Sequence, residues 1–441
     1  MDDDGTELAG GSILLEEGRI AWVGAGEPPV TEPAQRVDGR GCVALPGLVN
    51  THHHLFQTLT RVRAQGKGLF DWLVELYPVW AGVDEGWVRA AAAVGLAELA
   101  RSGCATTTDH HYVFPAGVGD LLAAEVDAAR ELGIRFHPTR GSMDLGASQG
   151  GLPPDVTVEP TEVALANSEE AVRRFHDPSP GSMLRVAVAP CSPFSVSERL
   201  MREAAELARR EGVRLHTHIA ETLDEERHCL ERFGRRPLDL LEEWGWLGDD
   251  VWLAHCVHLD EGDVKRMGAT RTGAAWCPSS NLRLASGIAP ARALLDAGAP
   301  VGLGVDGSAS NDGGDLLGEA RQAMLVARAG GDPRAMSARD ALRAATRGGA
   351  ACLGREAELG SLEPGKRADV ALFDVTGLEH VGAGIDPVAA LVFAAPVRVR
   401  DLFVEGAAVV RDGHLVTADE ERIASEGRRQ ARRIAERGAG L

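Results

Sequence analysis

Long apolar runs, paired cysteines and an excess of positive charge are what this 441-residue chain lacks. No apolar stretch reaches the ~18 residues of a membrane span, and the opening "MDDDGTELAG" does not read as a signal peptide. The seven cysteines are odd in number and scattered without paired spacing. That excludes a disulfide framework from the expectation and points to reduced thiols in a cytoplasmic protein. A net charge of −19 disfavours nucleic-acid polymers and anionic membranes as partners. The one basic stretch, "EGRRQARRIAERG", reads as the solvated face of a terminal helix. The length is too great for one small domain and sufficient to bury a sizeable core.

What is present is an alternation. Eight short β-branched or apolar runs recur along the chain: "LVNTHHH", "CATTTDHH", "GIRFHPTR", "LRVAVAP", "VRLHTHIA", "VWLAHC", "GAAWCP" and "VGLGVD". Helical stretches such as "WVRAAAAVGLAELARSG" and "ERLMREAAELARREG" separate them. Eight strands alternating with helices predict an α/β fold, a parallel (β/α)8 barrel of TIM type. At the two ends the texture changes to short strands: "GSILLEEGRIAWVGAG" early, "GKRADVALFDV", "VRDLFVEG" and "AAVVRDGHLV" late. These predict one small β domain built from both termini, residues 1–46 with 358–441, flanking a barrel at 47–357.

"NTHHHLFQ" places three histidines at the end of the first run. Successive side chains on a strand face opposite sides, so His52 and His54 share a side and His53 faces away. In a barrel the C-terminal strand ends form the mouth of the active site, so this pair points inward there. Other run ends offer companions: His216, His218 and Glu221 in "HTHIAE", His255 and His258 in "AHCVH", and Asp306 in "VDGSASND". Two or three inward histidines with a carboxylate suit a zinc ion that keeps one position open. Any one of these residues alone is more simply structural; their joint placement at four strand ends makes the case.

The motifs "PGLVNTHHH", "HTHIAET", "AHCVHLD", "CPSSNLRLASGIAP", "GLGVDGSASND" and "ELGSLEPGKRADVALFD" together resemble the amidohydrolase superfamily over essentially the whole chain. The resemblance implies a barrel with a flanking β-sandwich from both termini and a divalent metal, usually zinc. By residue it implies His52, His54, His218 and Asp306 as metal ligands, Glu221 as the proton-shuttling acid and His255 as the histidine beside the reacting water. His53 is left out of the set. Binuclear members bridge their metals with a lysine on the fourth strand, but this chain has only Lys67, Lys265 and Lys366, none of them in "LRVAVAPCSPF". One zinc per chain is therefore expected. Mononuclear members with this pattern are mostly deaminases of heterocyclic amines.

The chemistry agrees. Zinc lowers the pKa of water towards ~7. Asp306 can take the proton that water gives up, Glu221 can protonate the ring nitrogen beside the attacked carbon, and His255 can hydrogen-bond the attacking oxygen. Within the superfamily, "RGSMDLGASQGGLPPD" and its neighbours look most like 8-oxoguanine deaminases. That implies a small heterocyclic amine as substrate, with guanine, a pterin such as isoxanthopterin, or an s-triazine as alternatives, and by analogy a homodimer. Gln57 stands where guanine deaminases read the base with an amide. Arg140, at the end of the third run, is expected to neutralise a ring carbonyl or to form a salt bridge at the barrel rim. Trp276 replaces the histidine that relatives commonly carry before Cys-Pro and is expected to reshape the pocket wall. Cys191, Cys256 and Cys277 read as packing residues, and Trp72, Tyr77 and Trp80 as core or as cover for the pocket. A non-catalytic scaffold of the same fold would have lost ligands, and none is missing here.

Overall fold

Strands buried on both faces read as apolar runs because helices cover one side and the barrel axis the other. The computed structural model, which describes residues 1–2, 4–30, 35–394 and 397–438, has one barrel strand in each of the eight runs. In order they are Leu48–Asn50, Cys104–His111, Arg135–Ser142, Ala187–Pro190, Leu215–Ile219, Val251–His255, Gly273–Trp276 and Val301–Leu303. All neighbours pair in parallel, and the eighth closes on the first at Leu303 and Asn50. Two consecutive residues of the seventh strand show the alternation. Ala275 joins Val49, Ala187 and Trp252 in one apolar cluster, whereas Trp276 belongs to the main core that includes the surrounding helices.

Caps set the helices between strands. Asp84 accepts the Trp87 amide ahead of helix Glu85–Arg101, and Ser197 accepts the Leu200 amide ahead of Glu198–Glu211. Gly133 and Gly212 end their helices in the left-handed conformation, which glycine adopts without a Cβ clash. Among the described residues no helix is long and apolar enough to cross a membrane.

The two ends of the chain meet in an antiparallel five-stranded sheet. Its order is His414–Leu415, Ala407–Arg411, Val399–Val404, Val370–Asp374 and Cys42–Pro46, so the N-terminal segment supplies one edge. A hairpin, Gly11–Glu16 with Arg19–Ala25, leans on the same unit through Ile20, whose amide and carbonyl both bond the Gly365–Lys366 backbone. Arg135 locks barrel to sheet. Its fully buried guanidinium reaches Asp369 in two bonds of 3.1 Å and also pairs with Glu405. Bidentate geometry of this kind is what makes a buried ion pair tolerable. The terminal helix Glu420–Gly438 lies against helix Glu85–Arg101, where Arg433 pairs with Asp84 at 2.7 Å.

Candidate metal centre

Past Asn50 the first strand keeps bonding to both neighbours. The Thr51 amide donates to Leu303, Asp306 donates to the His52 carbonyl, and His110 donates to the His53 carbonyl. That extended path turns His52 and His54 to the axis. His53 turns outward to helix Glu85–Arg101, where a methyl on Gly95 would lie 3.7 Å from its Nε2.

The tautomers follow from the acceptors. A carbonyl only accepts, so an imidazole nitrogen facing one must carry the proton. His54 Nδ1 faces the His110 carbonyl at 2.7 Å and His218 Nδ1 faces that of Cys191 at 2.7 Å. His216 Nδ1 donates to the Trp252 carbonyl, which leaves its Nε2 to accept from His52 Nδ1 at 2.8 Å. Each of His52, His54 and His218 is thereby left with an Nε2 lone pair, and those lone pairs converge. His54 Nε2 and His218 Nε2 are 3.1 Å apart, and Asp306 Oδ1 lies 3.4 Å from Nε2 of both His52 and His54. Four ligands around tetrahedral zinc stand roughly 3.3 Å from one another.

The donor set fits a cation. Two lone pairs cannot hydrogen-bond each other, and the buried His52 Nε2 finds no hydrogen-bond partner among the described residues. Burial holds His54 and His218 well below the usual histidine range, as ligation requires. Ser280 and Ser310 donate to Asp306 Oδ2 at 2.6 and 3.1 Å. Strain marks the same spot: Ala220, His255 and Asp306 have φ of 49°, 71° and 61° where their strands end. Such backbone costs about 1–3 kcal/mol each and is held by its surroundings.

Glu221 and His255 stand beside this cluster. Glu221 Oε2 is 3.5 Å from His255 Nε2, and its Oε1 takes a bond from Ser286 at 3.4 Å. Burial first, then the charges of Asp306 and Glu225, raise the Glu221 carboxyl well above its usual range. Glu225 fixes the turn that presents it by accepting the Ala220 and Glu221 amides at 2.8 and 2.9 Å. Asn281 Nδ2 lies 3.1 Å from His255 Nδ1, which places the ring proton on Nε2, and burial pushes His255 down to about 3.

The remaining expectations fall in three places. Gln57 is fully buried after His54, its Nε2 3.4 Å from the Tyr112 hydroxyl. Its Oε1 has no partner among the described residues and occupies the space that a side chain on Gly307 would need, 2.0 Å from such a Cβ. Arg140 is held by Glu159 in bonds of 2.9 and 2.7 Å and lies over the Phe114 ring at 3.5 Å. Trp276 faces the helical layer rather than the pocket, because strand alternation gives the inward position to Ala275. His258 donates to the Ser286 carbonyl at 2.8 Å. Burial raises the thiols of Cys191, Cys256 and Cys277, which keeps them inert. Trp72, Tyr77 and Trp80 are buried core.

Sequence reasoning passed over the second strand. His110 brackets the metal-ligand loop through its amide and carbonyl, and its ring stacks on His218 at 4.8 Å. Asp109 and His111 beside it form a buried cluster with Glu125. The signal was "DHH" at a strand end, the same position that singled out His52 and His54.

A family model described as the amidohydrolase family matches residues 43–409. The 8-oxoguanine deaminase of Pseudomonas aeruginosa is 49% identical over 413 residues, covering 93% of this chain and 91% of that protein. The hydroxydechloroatrazine ethylaminohydrolase of Pseudomonas sp. strain ADP is 39% identical, covering 96% and 91%. Among solved structures, the atrazine chlorohydrolase of Arthrobacter aurescens TC1 complexed with zinc superposes with a TM-score of 0.93 at 36% identity, covering 98% of this chain and 97% of that one.

Proposed function

Because this chain belongs to the amidohydrolase family and is a zinc hydrolase acting on C–N bonds of a heterocycle, we propose that it deaminates 8-oxoguanine to urate and ammonia. The observation that carries the chemistry is that His54 Nε2 stands 3.1 Å from His218 Nε2 while Asp306 Oδ1 stands 3.4 Å from Nε2 of both His52 and His54. His52, His54, His218 and Asp306 would hold one zinc there. When bound, the ion supplies Lewis acidity that makes water a nucleophile near neutral pH.

The chain's own groups supply the proton movements. The Asp306 carboxylate, which accepts from the Ser280 and Ser310 hydroxyls, accepts the proton that water releases. Glu221, its carboxyl raised by burial, donates its proton to the ring nitrogen next to the attacked carbon and so prevents charge from building there. His255 donates Nε2–H to the oxygen on that carbon. The Gln57 amide, with its oxygen unpaired, reads an N–H on the base. Water adds at the amidine carbon; as the C–N bond breaks, Asp306 passes the proton it took to the amino group, which leaves as ammonia, and the proton left on the added hydroxyl returns to Glu221 as the carbonyl forms. The 49% identity to an 8-oxoguanine deaminase supports the purine over the triazines.

The test is kcat/KM for 8-oxoguanine, guanine, isoxanthopterin and a hydroxylated aminotriazine, read as ammonia release on one zinc-loaded preparation. A pocket that hydrogen-bonds the extra N–H and carbonyl of the oxidised ring discriminates by up to ~10⁴-fold, because guanine leaves those partners unpaired. Guanine or the triazine winning would overturn the substrate assignment. Glu221→Gln should lose ~10²–10⁴-fold in rate and keep its zinc. Near-parental turnover would remove Glu221 from the reaction, and lost zinc would make it a ligand.

A further inference from the structure

Beside the metal-ligand loop, and outside the metal site, Asp109, His111 and Glu125 form a second buried polar cluster with their donor atoms within 4.8 Å of one another. All three are fully buried. Its connections run in one direction. His111 Nε2 faces the Val113 carbonyl at 2.9 Å and must carry the ring proton, so His111 Nδ1 is an acceptor. Glu125 Oε1 stands 2.7 Å from that nitrogen, and because burial pushes His111 down to about 4 and favours the neutral ring, the carboxyl brings the hydrogen. On the other side, Asp109 Oδ1 accepts the Leu55 amide at 2.5 Å. The two remaining oxygens, Asp109 Oδ2 and Glu125 Oε2, have no N–H or O–H donor among the described residues.

We propose that Asp109, Glu125 and His111 form a neutral, proton-sharing clamp that grips the backbone immediately after His54 and so positions this ligand for its metal. Two protons complete it. Asp109 Oδ2–H donates to Glu125 Oε2, and Glu125 Oε1–H donates to His111 Nδ1. Every donor and acceptor in the chain from the Leu55 amide to the Val113 carbonyl is then paired with no net charge in a dry interior. Burial raises both carboxyls well above their usual range, in keeping with this. Strand two thereby holds three successive residues of the loop: His53 by its carbonyl, His54 by its ring and Leu55 by its amide. Asp109 and Glu125 are positioning residues, since neither touches the substrate or the ion. The inference rests on the metal reading of His54 and not on the identity of the substrate.

The experiment is zinc affinity by competition with a chromophoric chelator, together with infrared detection of protonated carboxyl groups, on the full-length chain. Asp109→Asn and Glu125→Gln can reproduce the clamp's hydrogen bonds without its acid protons. Both should keep parental zinc affinity, and each should lose one protonated-carboxyl band. Asp109→Ala leaves the Leu55 amide unpaired and should weaken zinc binding by about 10–100-fold, as removal of a ligand's supporting contacts typically does. Three results would overturn the clamp: no such bands in the parent, Asp109→Asn as damaging as Asp109→Ala, or Asp109→Ala with unchanged zinc affinity. A second zinc per chain that Glu125→Gln abolishes would make the cluster a metal site instead. The titration uses no substrate, so failure of the 8-oxoguanine assignment leaves it intact. Zinc that survives His54→Ala would show that the metal reading had failed first.

Discussion

His52–His54 and Asp109–His111 are polar triplets at the mouth ends of neighbouring barrel strands, and their imidazoles are spent in opposite ways. In the first, Nδ1 of His52 and of His54 gives its proton away, to His216 and to a carbonyl, and Nε2 is left as a lone pair aimed at the axis. In the second, Nε2 of His110 and of His111 donates to a carbonyl, of Ala189 and Val113. Spacing is the same in both. What separates a ligand from a brace is which nitrogen the surrounding backbone claims, a decision made by strands and loops distant in sequence.

The sharpest way to break this comparison is His54→Ala. One of four converging donors disappears, so zinc binding should be lost and activity should drop by more than the ~10²–10⁴-fold that a single general acid contributes. Elemental analysis and a rate measurement decide it. A variant that keeps stoichiometric zinc would place the centre elsewhere.

His216→Phe tests whether the tautomer matters apart from ligation. His216 is itself braced by the Trp252 carbonyl and stacks on that indole at 4.5 Å, which a phenyl ring preserves. The acceptor for His52 Nδ1–H is removed, together with the donor to the Trp252 carbonyl. Zinc affinity should fall by about 10–100-fold, the usual cost of losing a ligand's hydrogen-bond partner. Unchanged affinity would mean that His52 holds its orientation without it.

His110→Phe should do less. The bonds from this residue to His53 and His54 use its amide and carbonyl, which the substitution keeps. The stack on His218 is also kept, and such a pair is worth about 0.5–1.5 kcal/mol. One donor to the Ala189 carbonyl is lost, so zinc affinity should stay within about tenfold of the parent, the factor that 1.4 kcal/mol represents. Loss of zinc on the scale of His54→Ala would erase the distinction between the two strands.

The barrel was legible because each of its strands is a short apolar run, and the metal ligands because two-residue periodicity puts His52 and His54 together. The same rule pairs Asp109 with His111 but says nothing of what they meet. Glu125 lies in helix Leu121–Leu132, where an acid reads as a solvated position, yet it is fully buried. The partners of Gln57 and Arg140 come from Tyr112, Gly307 and Glu159, on segments that no local pattern links to them. Trp276 shows the limit from the other side. Its position in a motif suggested the pocket, and the strand's alternation sends it to the helical core.

The smallest effect is expected at His53, the residue between the two ligands. It is fully buried, burial lowers it to about 3, and neither ring nitrogen has a partner among the described residues. Replacing a buried polar group that lacks partners by an apolar one of similar size relieves a desolvation cost of the order of 1 kcal/mol rather than breaking a bond. His53→Leu should therefore bind zinc as the parent does and unfold at a temperature no lower than the parent's. Its main-chain bond to His110 survives, since that uses the carbonyl. Calorimetry with and without zinc is the measurement. If zinc affinity fell as it does in His54→Ala, the alternation of faces along "THHH" would be wrong, and with it the assignment of every imidazole in both triplets.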